Sequence, residues 1–474
     1  MKQIPSKSLS KSEIFEQLDA LRQEDIDGHG GRSFGGVYHP GKEAEEVGRQ
    51  AYMAFLDVNA LYPNQFPSVL QLENQLVAMG CAHVSGGSEA VGNFTSGGTE
   101  SIMLAVKTAR DQARALKPQI TEPEMILPTT AHAAHQKAAH YLAIKAVLVP
   151  VDPTTFKADI NAMAAAITPN TIMLAGSAPS YAHGVIDDIE ALGKLALEHD
   201  LFLHVDGCMG ALLLPYFRRL GEDIPPFDFS VAGVSSISID LHKYGFCPKS
   251  ASLILYRNKS IRRHQLYTCS SWPGYLQINT TVQSSKSGGP LAAAWAVMHH
   301  IGDQGYLELA RVMRDCIRRL IDGVREIPEL HIIGEPQMTL FAVSSDEVDI
   351  FEVNDELTIR GWYVQPQLAY GSSKKNIHLS IQPSNAHVVD EFLSDLRAAV
   401  EVAKTRPRFD TQAALQKAME SGGGMDAFMG AMGISDLAIP QRMTPINHIL
   451  SDLPSQMADP ILADFINELY IYRD

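Results

Sequence analysis

From about residue 90 the chain alternates between two patterns. Short apolar, β-branched runs (MILPTT, KAVLVPVD, TIMLAGSAP, LFLHVDG, SSISIDLHK and SASLILYRN) are separated by stretches with apolar residues at helical spacing, such as ESIMLAVKTARDQARAL and IDDIEALGKLALEHD. Strands that alternate with helices predict a doubly wound, mostly parallel α/β sheet, here a large domain at roughly residues 66–300. Residues 1–65 read as an N-terminal arm: a polar lead into an amphipathic helix, then GRSFGGVYHPG and NALYPNQFPS, too rich in Gly and Pro to form a core alone. This segment is expected to wrap onto another part of the molecule. After the helical stretch LAAAWAVMHHIGDQGYLELARVMRDCIRRL, the runs HIIGEPQMTLFAVSS, GWYVQPQLAY and NIHLSIQPS with a following helix predict a smaller C-terminal α+β domain, residues 301–474. Its segment from Thr405, with SGGGMDAFMGAMG, reads as a flexible tail that folds back near the end.

Composition narrows the class. A chain of 474 residues exceeds a single core, and 45% hydrophobic residues supply a well-buried one. No stretch reaches the unbroken apolar length of a membrane span, and the N-terminus does not read as a signal peptide, so a cytoplasmic location is expected. Five scattered cysteines, none in a CxxC pair, predict free thiols in a reducing compartment. A net charge of −15 argues against nucleic acid or an anionic membrane as the main partner.

In open α/β sheets ligands sit beyond the carboxyl ends of the strands, so the residues closing each apolar run carry the chemistry. In GNFTSGGTESIMLA, Ser96, Gly97, Gly98 and Thr99 lead into a helix and suit a phosphate cradle; the plainer reading is a tight turn with Thr99 as N-cap. Asp206 closes LFLHVDG, either as a helix cap or as a functional carboxylate. His132, at the start of a helix, offers an imidazole to lie flat on a planar ligand. With His135 and His140 it also raises a metal reading, but no HExxH arrangement is present and no metal is expected. His242 and Lys243 end the strand in SISIDLHKYGFCPKS. A lysine desolvated in such a crevice beside cationic groups is expected to have a lowered pKa and to form a Schiff base with an aldehyde.

A phosphate cradle, an aromatic plate, a carboxylate and a Schiff-base lysine together specify pyridoxal 5′-phosphate. Asp206 would hold the pyridine nitrogen protonated and make the ring an electron sink, while His132 would stack on its face. Gly98 and Thr99 would hold the phosphate, with His242 approaching from the other side.

The motifs TSGGTES, AHAAHQKAA, GSAPSYAHGVID, HVDGCMGALLLP and SISIDLHKYGFCPKS resemble the group II pyridoxal-phosphate decarboxylase superfamily, and within it the sphingosine-1-phosphate lyases. The resemblance covers most of the chain, from GGVYH onward. It implies fold type I and a homodimer whose phosphate site is completed by the neighbouring subunit, through the loop Ser284 to Gly289, with Ser285 and Gly288 at the cofactor. It also implies substrate-phosphate binding by Tyr38, Lys249 and Tyr62. Tyr62 stands where the family has a histidine, Lys286 where it has arginine, Gln277 where it has a tyrosine, and MDAFMGAMG lacks the tyrosine of the family's tail.

The reaction implied is a carbon–carbon lyase acting on a phosphorylated or otherwise anionic amino alcohol by retro-aldol cleavage, through an external aldimine formed when the substrate amine displaces Lys243. An amino-acid decarboxylase is the alternative, since it needs no base for a substrate hydroxyl and tolerates the missing tyrosines. A non-catalytic cofactor-binding protein and a metal-dependent hydrolase built on the histidines are the remaining classes. In each enzymatic reading the partner is a small molecule.

Overall fold

The computed structural model describes residues 3–23, 25–422, 425–431 and 440–472. Seven strands form the central sheet: β1 (Val91–Thr95), β2 (Glu124–Pro128), β3 (Lys145–Val149), β4 (Thr171–Ser177), β5 (Phe202–Asp206), β6 (Val234–Ile239) and β7 (Ser252–Tyr256), in the order β1-β7-β6-β5-β4-β2-β3. All pairings from β6 to β3 are parallel, and β7 runs antiparallel to both of its neighbours. Six of these strands are the apolar runs of the sequence. The seventh, β1, carries an Asn in a five-residue VGNFT run and has a weaker apolar signal.

Alternate side chains feed two cores, as the period of a strand requires. Ile126 of β2 and Leu253 and Leu255 of β7 join one; Met125, Leu127, Ile254 and Tyr256 join the other. Burial on both faces explains why these strands are apolar throughout. The helix Gly98–Leu116 closes one face with Ile102, Ala105, Val106 and Ala109, and Thr108 Oγ1 lies 3.0 Å from the Tyr256 hydroxyl.

The helix Gly289–Arg325 leads from the large sheet to a smaller one and is interrupted at Gly302, whose φ of 61° only glycine adopts readily. Leu340–Ser344 and Asn376–Ser380 pair antiparallel at the centre of the small four-stranded sheet. The helices Ile350–Ile359 and Val389–Thr405 cover it. The N-terminal segment wraps as expected. Phe34 is fully buried in the small-sheet core, 4.5 Å from the Phe392 ring, and its amide donates to the Tyr363 carbonyl at 2.9 Å.

The C-terminal segment corrects the expectation of a flexible tail. Helices Thr411–Glu420, Met425–Ala431, Thr444–Asp452 and Ser455–Leu469 share a small core of Ala418, Phe428, Ile446 and Ile449. Asp355 receives the amides of Met443 (2.8 Å) and Thr444 (3.0 Å), and Arg442 pairs with Glu352 at 3.0 Å. The Gly cluster dominated the sequence pattern, but apolar residues at helical spacing and these buried acceptors hold the chain down. Within the tail motif itself, residues 423–424 and 432–439 lie outside the described residues.

Candidate active site

Because β1, β2, β4, β5 and β6 point the same way, the residues that follow them meet at one edge of the sheet. They enclose a cavity of about 310 Å³ lined by Ser96, Gly97, Gly98 and Thr99 after β1, His132 after β2, Tyr181 after β4, Asp206 at the end of β5, and Asp240, His242 and Lys243 after β6. The sequence therefore placed one constellation in one place.

The turn after β1 is not the Thr99 cap of the plainer reading. Gly97 is the N-cap residue and Thr99 already lies in the helix. The Glu100 carboxylate secures the turn instead, accepting from the Ser96 amide at 2.6 Å and the Val282 amide at 2.9 Å. The first amides of any helix have no intrahelical acceptor, so those of Gly98 and Thr99, which line the cavity, are available as anion donors. A Cβ on Gly98 would lie 2.6 Å from Asp240 Oδ2 and 2.8 Å from Cys208 Sγ, so only glycine allows this approach.

Lys243 corrects a second expectation. Its Nζ lies 2.8 Å from Oδ2 of Asp240, a carboxylate only 2% exposed that sits three residues earlier at the strand end. Burial would pull the ammonium down, but Asp240, with smaller contributions from Cys208 and Tyr38, holds its pKa above that of an ordinary lysine. The neighbours that matter are anionic or polar, not cationic. Asp240 was missed in the sequence, where its signal is the i, i+3 spacing to the lysine.

Asp206 is buried at the floor. Its Oδ1 accepts from the Cys208 amide at 3.0 Å and the Ser238 hydroxyl at 3.3 Å. Burial would raise its pKa, yet His135, His132, Lys243 and His204 outweigh that and keep it ionised well below the usual carboxylate range. His135 and His204 form the layer behind it, with ring centroids 5.8 Å apart. Burial pulls both imidazoles down, His204 to about 3, against the opposing pull of Asp206.

His132 Nδ1 accepts the Ala134 amide at 3.1 Å, which fixes the ring at the cavity mouth beside Tyr181, 6.4 Å between centroids. His140 lies on the exposed side of its helix, so the histidine trio of the metal reading does not converge; His135 is fully buried. Tyr181 was also missed. Its hydroxyl donates to Gln365 Oε1 at 2.6 Å, and burial pushes the phenol up to about 12. His242 is held by the Ala251 carbonyl, 2.8 Å from Nδ1, and its Cε1 is the nearest atom to a Cβ placed on Gly97, at 3.5 Å.

Tyr38 and Lys249 meet in an adjoining cavity of about 240 Å³ that shares the His242 wall. Lys249 Nζ donates to the Gly36 carbonyl at 2.8 Å and lies 5.2 Å from the Tyr38 ring centroid. Tyr62 is elsewhere. It faces Tyr275, 6.3 Å between centroids, in a separate cleft of about 680 Å³ that also receives Lys286. Lys286 Nζ donates to Thr281 Oγ1 at 3.2 Å, Ser285 is exposed, and the Gly288 amide donates to the Val58 carbonyl at 2.8 Å. Within one chain none of these residues lines the Lys243 cavity. Gln277 lies in an exposed two-stranded ribbon, Tyr267–Cys269 with Gln277–Asn279.

The residues fit pyridoxal phosphate on structural grounds. Free amides meet a glycine cradle, an ionised carboxylate sits opposite a lysine, and two buried polar atoms, Asp240 Oδ1 and His135 Nε2, have no protein partner.

Residues 55–344 match the pyridoxal-dependent decarboxylase conserved domain, and the chain belongs to that family, with fold type I architecture. It is a pyridoxal-phosphate-dependent lyase. Within the family it is sphingosine-1-phosphate lyase-like. It is 44% identical over 412 residues to the sphingosine-1-phosphate lyase of Arabidopsis thaliana, covering 85% of this chain and 74% of that protein. The structure of a sphingosine-1-phosphate lyase from Burkholderia pseudomallei superposes with a TM-score of 0.82 at 36% identity, over 89% of this chain and 96% of that one. An L-aspartate decarboxylase of Thermococcus kodakarensis is 32% identical over 405 residues, covering 84% of this chain and 99% of that protein.

Proposed function

We propose that the enzyme cleaves a carbon–carbon bond of a phosphorylated long-chain amino alcohol, of the sphingosine 1-phosphate class, by retro-aldol chemistry. The observation that carries this reading is the second cavity, where Tyr38 and Lys249 present a phenol and an ammonium across the His242 wall from the Lys243 cavity. An anionic substrate end needs such a pair within reach of the reacting carbon.

Pyridoxal phosphate, when bound, supplies an aldehyde that takes up an amine and a protonated ring that accepts the electron pair of the broken bond. In this reading Ser96, Gly97, Gly98 and Thr99 bind its phosphate with His242, Asp206 keeps the ring nitrogen protonated, His132 covers the ring and Lys243 is the attachment point. Asp240 holds the Lys243 proton until it is needed. Tyr181, protonated at neutral pH, would turn its hydroxyl hydrogen from Gln365 to the substrate, the task for which the sequence offered no tyrosine at position 277.

The working unit in this reading is a homodimer, with Ser285 and Gly288 of the partner subunit closing the phosphate site and Tyr62 in the partner's reach. The exposed Trp272, Tyr275, Leu276, Ile278 and Val282 support a partner surface there. Residues 1–65 act as an arm, 66–300 as the cofactor domain and 301–474 as the smaller domain with its tail. A cytoplasmic location suits the free thiols of Cys81, Cys208, Cys247 and Cys316; no helix among the described residues is long and apolar enough to cross a membrane.

The test is one assay on purified holoenzyme with two readouts. Release of long-chain aldehyde from sphingosine 1-phosphate, without carbon dioxide from amino acids, is expected. Carbon dioxide from an amino acid such as aspartate, with no aldehyde from the phosphorylated amino alcohol, would establish the decarboxylase alternative.

A further inference from the structure

His29, His39 and Glu45 stand on the wall of the Tyr38–Lys249 cavity, away from the cofactor site. His39 Nδ1 is 3.3 Å and His29 Nε2 3.6 Å from the same oxygen, Oε2 of Glu45, and the three atoms lie within 4.8 Å of one another. Ligand atoms at the corners of a tetrahedral zinc site are about 3.4 Å apart, given the usual bond lengths. Among the described residues no other trio of His, Cys, Asp or Glu converges in this way.

The atoms behind the trio are also arranged as a metal site needs. Glu45 lies in the first turn of the helix Lys42–Ala54, and its other oxygen, Oε1, is held by Arg49 one turn on, which leaves Oε2 directed at the imidazoles. His29 has Nδ1 facing the Asp27 carboxylate at 3.9 Å, the side away from Glu45, and the His29 amide donates to that carboxylate at 2.9 Å. The backbone of His39 is anchored by its amide to Gln382 Oε1 at 3.2 Å. The positive charge of Arg49, Lys42 and Lys249 opposes a cation here, and Glu45 and Asp27 offset part of it.

We infer that His29, His39 and Glu45 form a binding site for a zinc-class divalent cation whose remaining coordination position faces the Tyr38–Lys249 cavity and takes an anionic oxygen there. Two imidazoles and one carboxylate are a ligand set that leaves zinc a fourth position. The cation site stands on its own geometry; only the role of its open position rests on the proposal that this cavity receives an anionic substrate end.

The test uses holoenzyme dialysed against chelator and titrated with zinc in competition with a chromophoric chelator. Wild type is expected to take up one equivalent per chain. H39A and E45Q, with their cofactor absorbance and circular dichroism intact, are expected to bind at least about tenfold more weakly. H140A, which alters an exposed histidine elsewhere, is expected to match wild type. Cobalt loaded into the wild type should give the intense visible bands of a four-coordinate ion, shifted by inorganic phosphate. Zinc uptake by wild type no tighter than by H39A, or a weak six-coordinate cobalt spectrum, would overturn the inference. Aldehyde release measured on the same zinc-free preparation separates its failure from that of the retro-aldol reading.

Discussion

Replacing Asp240 with Asn keeps the shape of the side chain and removes the charge that Lys243 faces. At 2.8 Å and an effective dielectric constant near 20, the gross attraction is about 6 kcal/mol. Desolvation takes back much of this, and deleting one member of a buried pair costs about 3–5 kcal/mol. The Lys243 side chain is 21% exposed, so the lower end, about 3 kcal/mol, is expected for the cofactor-free protein. The sign with pH follows from the lysine. Its pKa is raised in the folded state, so the stabilisation is complete below the ordinary lysine value of about 10.4 and disappears as pH climbs through the folded value. Urea unfolding of cofactor-free wild type and D240N should therefore differ by a constant amount at neutral pH, and the curves should converge in strong alkali. D240N should also take up pyridoxal phosphate faster at neutral pH, because a neutral amine is easier to reach. Equal stabilities at pH 7, together with equal uptake rates, would refute an Asp240–Lys243 pair that stores the proton.

Gly98→Ala should weaken cofactor binding at least about tenfold, measured by visible absorbance titration, because the new methyl must displace Asp240 or Cys208. Tyr181→Phe should lower kcat for aldehyde release by about 10²-fold with cofactor affinity unchanged; an unchanged kcat would remove Tyr181 from proton transfer. Lys249→Met should raise KM for a phosphorylated substrate at least about tenfold while an unphosphorylated analogue is unaffected, as steady-state kinetics with both would show. Phe34→Ala should destabilise the protein by about 3–5 kcal/mol in urea unfolding, since it empties a fully buried ring site between Trp362 and Phe392.

The alternating pattern made the large sheet legible because two-sided burial leaves strands uniformly apolar and short. It made the proposed cofactor site legible for a related reason. Parallel strands all deliver their last residues to one edge, so Ser96 to Thr99, His132, Asp206 and Lys243 could be gathered without knowing a single distance. Strand β1 was less visible because its Asn93 is paid out in hydrogen bonds with Glu73 and Gln265 that only the fold provides. The Lys243 pKa was misjudged because its sign depends on whichever group lies within about 4–6 Å, and Asp240 looked like one more strand-end residue. The His29, His39 and Glu45 trio gave no motif, because the loop between the histidines is what folds them together. The helices of the tail went unread because three consecutive glycines outweighed a modest helical periodicity, although its folding back was expected.

Phe34 and Tyr38 are separated by only three residues, yet one is a plug in the small-sheet core and the other a wall of the pocket beside Lys243. In the proposed function that short strap ties the substrate end at Tyr38 to the C-terminal layer as well as to the Tyr244 ring it packs on, while the cofactor is referenced to the large sheet alone. Under the proposed function, loosening of the C-terminal layer, by heat or by distant mutation, is therefore expected to blur discrimination between substrates before any vitamin is lost.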